Sequence, residues 1–200
     1  PSRLPSPASW VTIKRVRAKD SYTRLWWLSK TADPKADNKR VLMKYSVSML
    51  NKMKKSKIYT GKRPSGHKIT EKFLKDNGGS ISPNFLSNSE LENLVENSLS
   101  IANSSKEPNY NNFCRDNNLQ PHPARMQIGL VEYFINFLTD KGDLTFDPFA
   151  GSNSLGMVSE NLNRNWISSE LNIDYIKSSL IRFYDESEAT DKIKRMAEKG

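Results

Sequence analysis

The sequence has very little cysteine and no long apolar run. Cys114 is the single cysteine among 200 residues, so no internal disulfide and no cysteine-based metal site can form. A reducing compartment is therefore expected, and the cytoplasm is the predicted location. No apolar stretch approaches the roughly 18 residues that a membrane-spanning helix requires, so no membrane partner is expected.

Acidic residues are scarce in the first part of the chain. Residues 1–75 hold 20 Lys and Arg against 4 Asp and Glu, a net charge of +16, whereas residues 76–200 hold 11 against 18, a net charge of −7. This asymmetry predicts a basic surface that faces a polyanion, with a neutral-to-acidic module behind it. Nucleic acid is the predicted partner, and a merely well-solvated basic surface is the alternative.

Regular patterning is weak before residue 121. Residues 1–30 predict a β-hairpin, with strands over 10–18 and 23–30. Its Trp26 and Trp27 could stack on bases, although aromatic residues in a strand more often fill a core. Residues 31–120 predict a loop-rich insertion, with helical spacing over 41–55 and a possible helix at Ser89–Ser98.

From Pro121 the pattern sharpens into alternating elements. Residues 121–185 predict an α/β region, and residues 186–200 a polar C-terminal tail. The predicted elements are a helix over 129–139, a strand at "DLTF", a helix at "NSLGMVSENLN", a strand at "NWISSEL" and a helix at "NIDYIKSSLIRFYDE". Alternation with short connections predicts parallel strands in a doubly wound sheet.

The strand–turn–helix segment "FDPFAGSNSLG" lacks both standard phosphate-binding fingerprints. A dinucleotide site requires G-x-G-x-x-G, and here only Gly151 and Gly156 are present. A P-loop requires Lys and then a hydroxyl residue after the second glycine, where Met157 and Val158 stand. What the segment has is an acid at the strand end, a glycine turn and a helix start, in the crevice where α/β sheets bind ligands.

A second acid supports a nucleoside ligand. Glu170 follows Asp147 by 23 residues and ends the next predicted strand, where an acid is placed to bind ribose hydroxyls. Because an acid stands where dinucleotide and P-loop sites place groups that donate hydrogen bonds to phosphate, a cationic ligand such as S-adenosylmethionine is favoured. The alternative is a structural strand–turn–helix that binds nothing.

Several segments, in collinear order, resemble amino-group DNA methyltransferases. "DPFAGSN" (147–153) is similar to their motif I, "HPARM" (122–126) to the motif before it, and "RNWISSELNIDYI" (164–176) to the segment with the ribose acid. "WVTIKRVRAKD" with "LWWLSKT" resembles the hairpin after the catalytic half, and "NKRVLMKYSVSM" and "GKRPSGH" resemble the target-recognition region. The resemblance is greatest to beta-class enzymes of prokaryotic restriction–modification systems, many of which modify cytosine N4.

This resemblance implies a Rossmann-like S-adenosylmethionine-dependent fold and a set of cofactor contacts. The implied contacts are Asp147, Phe149, Gly151, Ser152, Asn153 and Glu170, with His122 and Arg125 at the methionine end. For His122 the alternative is a turn or capping histidine. No metal site is implied.

The family's catalytic Pro-Pro-aromatic loop is absent, because the sequence contains no Pro-Pro pair. "SPNF" (82–85) is nearest, but it follows the hairpin and is assigned to the target region. No catalytic residue is therefore expected here, and the chain is interpreted as a portion of a longer enzyme or one half of a split one, with the catalytic half as partner. The alternatives are a non-catalytic specificity subunit, an adenine-N6 methyltransferase or an RNA-directed enzyme.

The basic region is interpreted as the surface that binds double-stranded DNA. Flexible backbone with cations suits phosphate contacts, for which Lys14, Arg17 and Lys62 are the candidates. Arg63, Ser65 and His67 are the candidates for base recognition.

Overall fold

The computed structural model describes residues 13–16, 25–55, 74–84, 86 and 108–198, which fall in two compact units, 1–34 and 35–200. The second unit contains α1 (Val47–Lys55), α2 (Pro108–Asp116), α3 (Ile128–Leu138), β1 (Leu144–Asp147), α4 (Ser154–Asn161), β2 (Asn165–Ser168), α5 (Ile173–Ser179) and α6 (Glu186–Ala197). Two 3-10 turns, Asn38–Val41 and Leu180–Arg182, complete the regular structure of these residues.

The centre of the second unit is a β1–α4–β2 crossover. β1 and β2 pair in parallel, with Leu144 opposite Asn165 and Asp147 opposite Ser168. α4 packs on one face of this pair, where the buried Thr145 and Ser159 hydroxyls lie 2.8 Å apart. The parallel α/β prediction is thus realised in two strands of four residues each.

The opposite face of the strand pair is open. Leu144, Phe146 and Ile167 are 59%, 62% and 54% exposed, although side chains of this kind normally lie in a core. Parallel sheets are ordinarily covered by helices on both faces. The described residues therefore form one layer of helices on a sheet that is built for two.

Two small cores flank α3. On one side, Val131 and Ile135 pack with Val158 of α4. On the other side, Tyr133 packs with Val41. Ion pairs from Lys35 to Asp143 and from Arg40 to Asp140 hold the segment before Val41 against the end of α3. These contacts fix the base of the β1–α4–β2 crossover.

Some predicted elements are wrong within the described residues. The helix predicted over 41–55 begins only at Val47, because Val41 lies in a 3-10 turn and Met43 bridges to Ser80. Residues 25–30 form no strand, and Trp26 is 84% and Trp27 48% exposed, so neither fills a core. Residues 13–16 of the other predicted strand also form no strand, and the remaining residues of the hairpin and Ser89–Ser98 lie outside the described residues. The tail over 186–200 contains a regular helix, α6, capped by Asp185.

α2 lies inside the region predicted to be loop-rich. Tyr110, Phe113 and Cys114 are buried on one face of this helix, which packs against α5 and the 3-10 turn after it. Burial raises the pKa of the Cys114 thiol, which therefore stays neutral and serves packing. Among the described helices, none is long and apolar enough to span a membrane.

Gly151 and Gly142 both have left-handed backbone but differ in what surrounds them. Gly151 has a φ of +53°, and an added Cβ would lie 2.8 Å from Nε2 of His122. Gly142 has a φ of +85°, and an added Cβ would meet nothing within 4 Å. Gly151 is thus required both by the backbone and by the packed imidazole, whereas Gly142 is required by the backbone alone.

We expect Gly151→Ala to destabilise the protein more than Gly142→Ala. Both changes impose a left-handed alanine, at about 1–2 kcal/mol, and only Gly151→Ala also displaces His122. Urea denaturation of both variants measures the difference, and the His122 ring resonances report the displacement. Equal losses of stability with unchanged His122 resonances would show that the ring does not constrain this turn.

Candidate cofactor site

The segment 147–153, called the cofactor turn below, connects β1 to α4 at the carboxyl end of the strand pair. The Ser169 amide donates to the Asp147 carbonyl and the Ala150 amide to the Ser169 carbonyl, each at 2.9 Å, so the ladder continues past the strands. Asp147 Oδ1 accepts the Phe149 amide at 3.0 Å, which bends the chain immediately after β1. The turn and the exit of β2 therefore form one bonded unit.

Glu170 bridges that unit through its carboxylate. Its Oε2 accepts the Gly151 amide at 2.7 Å, and its Oε1 accepts the Asn172 amide at 2.9 Å. The Asn172 bond, with help from the Gly151 amide, holds the pKa of Glu170 below its ordinary value of 4.5. Because the pKa is lowered in the folded state, this contribution to stability is present above pH 4.5 and is lost as the pH falls through the lowered pKa.

His122 and Arg125 lie on the other side of the turn. The His122 ring sits over Gly151 and meets the Tyr175 ring edge-on, with 4.6 Å between centroids. Its Nδ1 accepts the Ala124 amide at 3.3 Å, and its carbonyl accepts Nη1 of Arg125 at 3.2 Å. His122 therefore forms a local turn, as in the alternative interpretation of a turn or capping histidine. Its ring also lies against the cofactor turn.

The remaining predicted contacts differ in how accessible their side chains are. Phe149 is 86% exposed. Ser152 is buried, and its hydroxyl accepts a hydrogen bond from Arg182. Asn153 has left-handed backbone, and its side chain caps α4 by accepting a hydrogen bond from the Gly156 amide at 3.1 Å. The side chains of Ser152 and Asn153 thus shape the turn itself. Phe149 is thus exposed, whereas Asp147 and Glu170 are half-buried.

Sequence reasoning missed the residues that support the turn from behind. Arg182, after α5, donates to the Ser152 carbonyl at 2.5 Å and to the Ser152 hydroxyl at 3.2 Å. The Tyr110 ring of α2 contacts two guanidinium groups, with its centroid 4.9 Å from Cζ of Arg125 and 5.1 Å from Cζ of Arg182. The spacing of Tyr110, Phe113 and Cys114 was the available signal for α2.

Hydrogen bonds join the segments of this support. The His122 amide donates to the Tyr110 hydroxyl at 3.2 Å. The Tyr110 and Ser178 hydroxyls lie 2.9 Å apart, and the Ser178 hydroxyl also lies 3.0 Å from the Tyr175 carbonyl. Burial raises the pKa of Tyr110, so its hydroxyl stays protonated. Tyr110 therefore connects the segment around His122 to α5 behind the turn.

Of the predicted DNA contacts, the structure describes only Lys14, which is exposed. Arg17, Lys62, Arg63, Ser65 and His67 lie outside the described residues. The Ser82 hydroxyl of the "SPNF" segment lies 2.7 Å from the hydroxyl of Tyr133, a residue of α3. Among the described residues, no group of His, Cys, Asp and Glu side chains could hold a metal ion.

The arrangement suits a ligand with both a cationic and a hydroxyl-rich end. Asp147 and Glu170 carry carboxylates beside the cofactor turn. At Gly151, which has no side chain, a ligand can approach the backbone of the turn closely. Oδ1 of Asp147 and both carboxylate oxygens of Glu170 can each accept a second hydrogen bond beyond the one received from the backbone. The start of α4 adds a partial positive charge suited to a carboxylate.

Comparison with known proteins identifies the family of the chain. A family model described as DNA methylase matches residues 3–181. The chain is 42% identical over 195 residues to the Type II methyltransferase M.PvuII of Proteus hauseri. The matched region covers 96% of this chain and 54% of that protein. It is 35% identical over 81 residues to the Type II methyltransferase M.HpaI of Haemophilus parainfluenzae, covering 40% of this chain and 26% of that protein.

The fold is similar to a solved structure described as the cytosine-N4-specific PvuII DNA methyltransferase. The superposition has a TM-score of 0.60 and 32% identity, and covers 96% of this chain and 52% of that one. The chain thus spans about half the length of these relatives. The predicted fold class and the family resemblance are both confirmed: this chain belongs to the DNA methylase family.

Proposed function

We propose that this chain is the cofactor-binding and target-recognition part of a site-specific DNA methyltransferase. It would bind S-adenosylmethionine for methyl transfer to an exocyclic base amine, with cytosine N4 favoured because a relative is described as cytosine-N4-specific. The observation that carries the proposal is the Glu170 carboxylate bonded to the Gly151 amide at 2.7 Å, in a chain that matches the family over residues 3–181.

The site residues take roles that follow from their positions. Glu170 would accept ribose hydroxyls, and Asp147 would face the cationic methionine end, with His122 and Arg125 nearby. Gly151 allows the cofactor to approach the backbone, and Phe149 offers an exposed aromatic face. Ser152 and Asn153 would contribute through the backbone, since their side chains are occupied within the turn. The cytoplasm, where bacterial DNA lies, is the proposed location.

We expect Glu170→Gln to weaken S-adenosylmethionine binding by about 1–3 kcal/mol, the cost of removing a charged hydrogen-bond partner. The matched control is Glu160→Gln, since Glu160 is exposed on α4 and bonds to the Trp166 ring nitrogen away from the turn. Calorimetric titration of the protein together with its catalytic half measures both affinities. Wild-type affinity in Glu170→Gln, or an equal loss in Glu160→Gln, would contradict the assignment of Glu170 to the ribose.

We propose that the catalytic loop lies in a partner segment, either upstream in the same polypeptide or in a separate subunit. Two observations support this proposal. The chain spans 54% of M.PvuII and has no Pro-Pro pair. The open face of the strand pair exposes Leu144, Phe146 and Ile167, a surface that a further layer of the sheet fold would cover. Alone, the chain would bind S-adenosylmethionine weakly.

We expect Phe146→Ser to weaken association with the catalytic half, supplied as a separate polypeptide, by about 1.5–3 kcal/mol, the cost of leaving a large apolar side chain unburied. Val47→Ser on α1 is the control, because Val47 is also exposed, at 74%, but lies outside the strand pair. Calorimetry of the two polypeptides gives both values. If Phe146→Ser associates as tightly as Val47→Ser, the open face is not the docking surface.

A non-catalytic specificity subunit is the second candidate, and it keeps the same fold and DNA partner. The absence of a catalytic loop from this sequence is the observation in its favour. Methyl transfer by the chain joined to its catalytic half would reject it. Adenine N6 remains the alternative target. Methylation of one duplex that contains cytosine but no adenine, and of another that contains adenine but no cytosine, separates the two.

The basic region should bind phosphates at some positions and read bases at others. Removing Lys62, a proposed phosphate contact, should flatten the dependence of log affinity on log salt by about one unit on every duplex. Removing Arg63 should instead cost about 1–3 kcal/mol on the preferred site and leave the slope unchanged. A salt series with a specific and a scrambled duplex measures both. Equal losses on the two duplexes for Arg63 would assign it to phosphate.

A further inference from the structure

We propose that Arg182 is a positioning residue for the cofactor turn: it grips Ser152 and thereby fixes the backbone that meets the cofactor. The proposal rests on the proposed function, because it concerns the same site. Arg182 ends the 3-10 turn after α5, 30 positions along the chain from Ser152. It is separate from the residues assigned to cofactor contact.

The grip uses two donors of one guanidinium group on two acceptors of one residue. Nε donates to the Ser152 carbonyl at 2.5 Å, and Nη2 donates to the Ser152 hydroxyl at 3.2 Å. A third contact, from Nη1 to the Met157 sulfur at 3.5 Å, extends the grip to the first turns of α4. A planar fork with fixed spacing suits this pair of acceptors, and a lysine ammonium group does not.

Arg182 is itself held by Tyr110, whose ring lies 5.1 Å from the guanidinium carbon. The same tyrosine accepts the His122 amide at 3.2 Å, and the His122 ring covers Gly151. Two consecutive residues of the turn are therefore restrained by two residues that both contact Tyr110. Gly151 is restrained through His122, and Ser152 through Arg182.

The restraint matters because the turn is conformationally demanding. Gly151 and Asn153, on the two sides of Ser152, both have left-handed backbone, with a φ of 53° in each case. The Gly151 amide must also point at Glu170 for the carboxylate to stay oriented. If Ser152 were released, both flanking residues could relax, and the amide–carboxylate bond would open more often. Loss of Arg182 should thus loosen the site without removing any group that contacts the cofactor.

The chain offers a matched control in Arg164. Its Nη1 donates to the Leu162 carbonyl at 2.7 Å and its Nη2 to the Thr139 carbonyl at 2.9 Å. Arg164 is buried, and it too donates hydrogen bonds to backbone carbonyls. It lies immediately before β2, at the end of the strand pair opposite to the cofactor turn. Replacing either arginine removes comparable hydrogen bonds, and only one replacement touches the turn.

The test compares Arg182→Gln, Arg182→Lys and Arg164→Gln in two measurements. The first is amide hydrogen exchange at Gly151 and Asn153 without ligand, in the chain joined to its catalytic half. The second is S-adenosylmethionine affinity by calorimetry, with KM for the cofactor and kcat. We expect both Arg182 variants to exchange these two amides about tenfold faster, or 1.4 kcal/mol. Their cofactor affinity should fall by about the same factor, with kcat nearly unchanged.

Arg164→Gln should leave both amides and the cofactor affinity unchanged, even where it lowers global stability as much. Unchanged exchange at Gly151 and Asn153 in Arg182→Lys would overturn the proposal, as would equal acceleration in Arg164→Gln. If Arg182→Gln does not fold, Arg182→Lys decides alone. If the wild-type protein fails to bind S-adenosylmethionine, the proposed function fails, while the exchange measurement still decides whether Arg182 positions the turn.

Discussion

The hydrogen bond from the Gly151 amide to the Glu170 carboxylate is the contact on which the site depends. The two strands supply only four register pairs, and the ladder then continues through Ser169 to the turn. Glu170 stands at the end of that continued ladder, so its orientation is set by backbone bonds on both sides of its carboxylate. An acid held in this way is preorganised for hydroxyl groups, because it loses little side-chain freedom when a ligand arrives.

One-sided packing is the second constraint. Thr145 and Trp166 face α4, and the alternation of a strand turns Leu144, Phe146 and Ile167 to the other side. Such residues are apolar because a parallel sheet is normally buried on both faces. Within the described residues that second layer is missing, which agrees with the chain's coverage of about half of M.PvuII. β1 and β2 thus carry apolar side chains suited to a second covering layer, which the described residues do not supply.

Local patterns were sufficient to predict the centre of the fold and the two acids. β1, α4 and β2 follow from short apolar runs, a glycine turn and helical spacing, and the 23-residue separation of Asp147 and Glu170 follows from that order. α2 was missed because asparagine, serine and proline dominate its surroundings and obscure the spacing of three buried residues. The strand over 23–30 was wrong within the described residues, since strand formation requires partner strands that local sequence does not reveal. Arg182 could not be identified because its acceptors belong to a residue distant in sequence.

α2 places part of the region predicted to be loop-rich behind the cofactor turn. The predicted target-recognition region, residues 31–120, includes this helix, and the structure packs it behind the turn. Tyr110 contacts His122 and Ser178 by hydrogen bonds and Arg182 through its ring. Because Tyr110 contacts both His122 and Arg182, a displacement of α2 would strain these two contacts together. These two residues touch Gly151 and Ser152, so the end of residues 31–120 is coupled to the cofactor turn through one tyrosine.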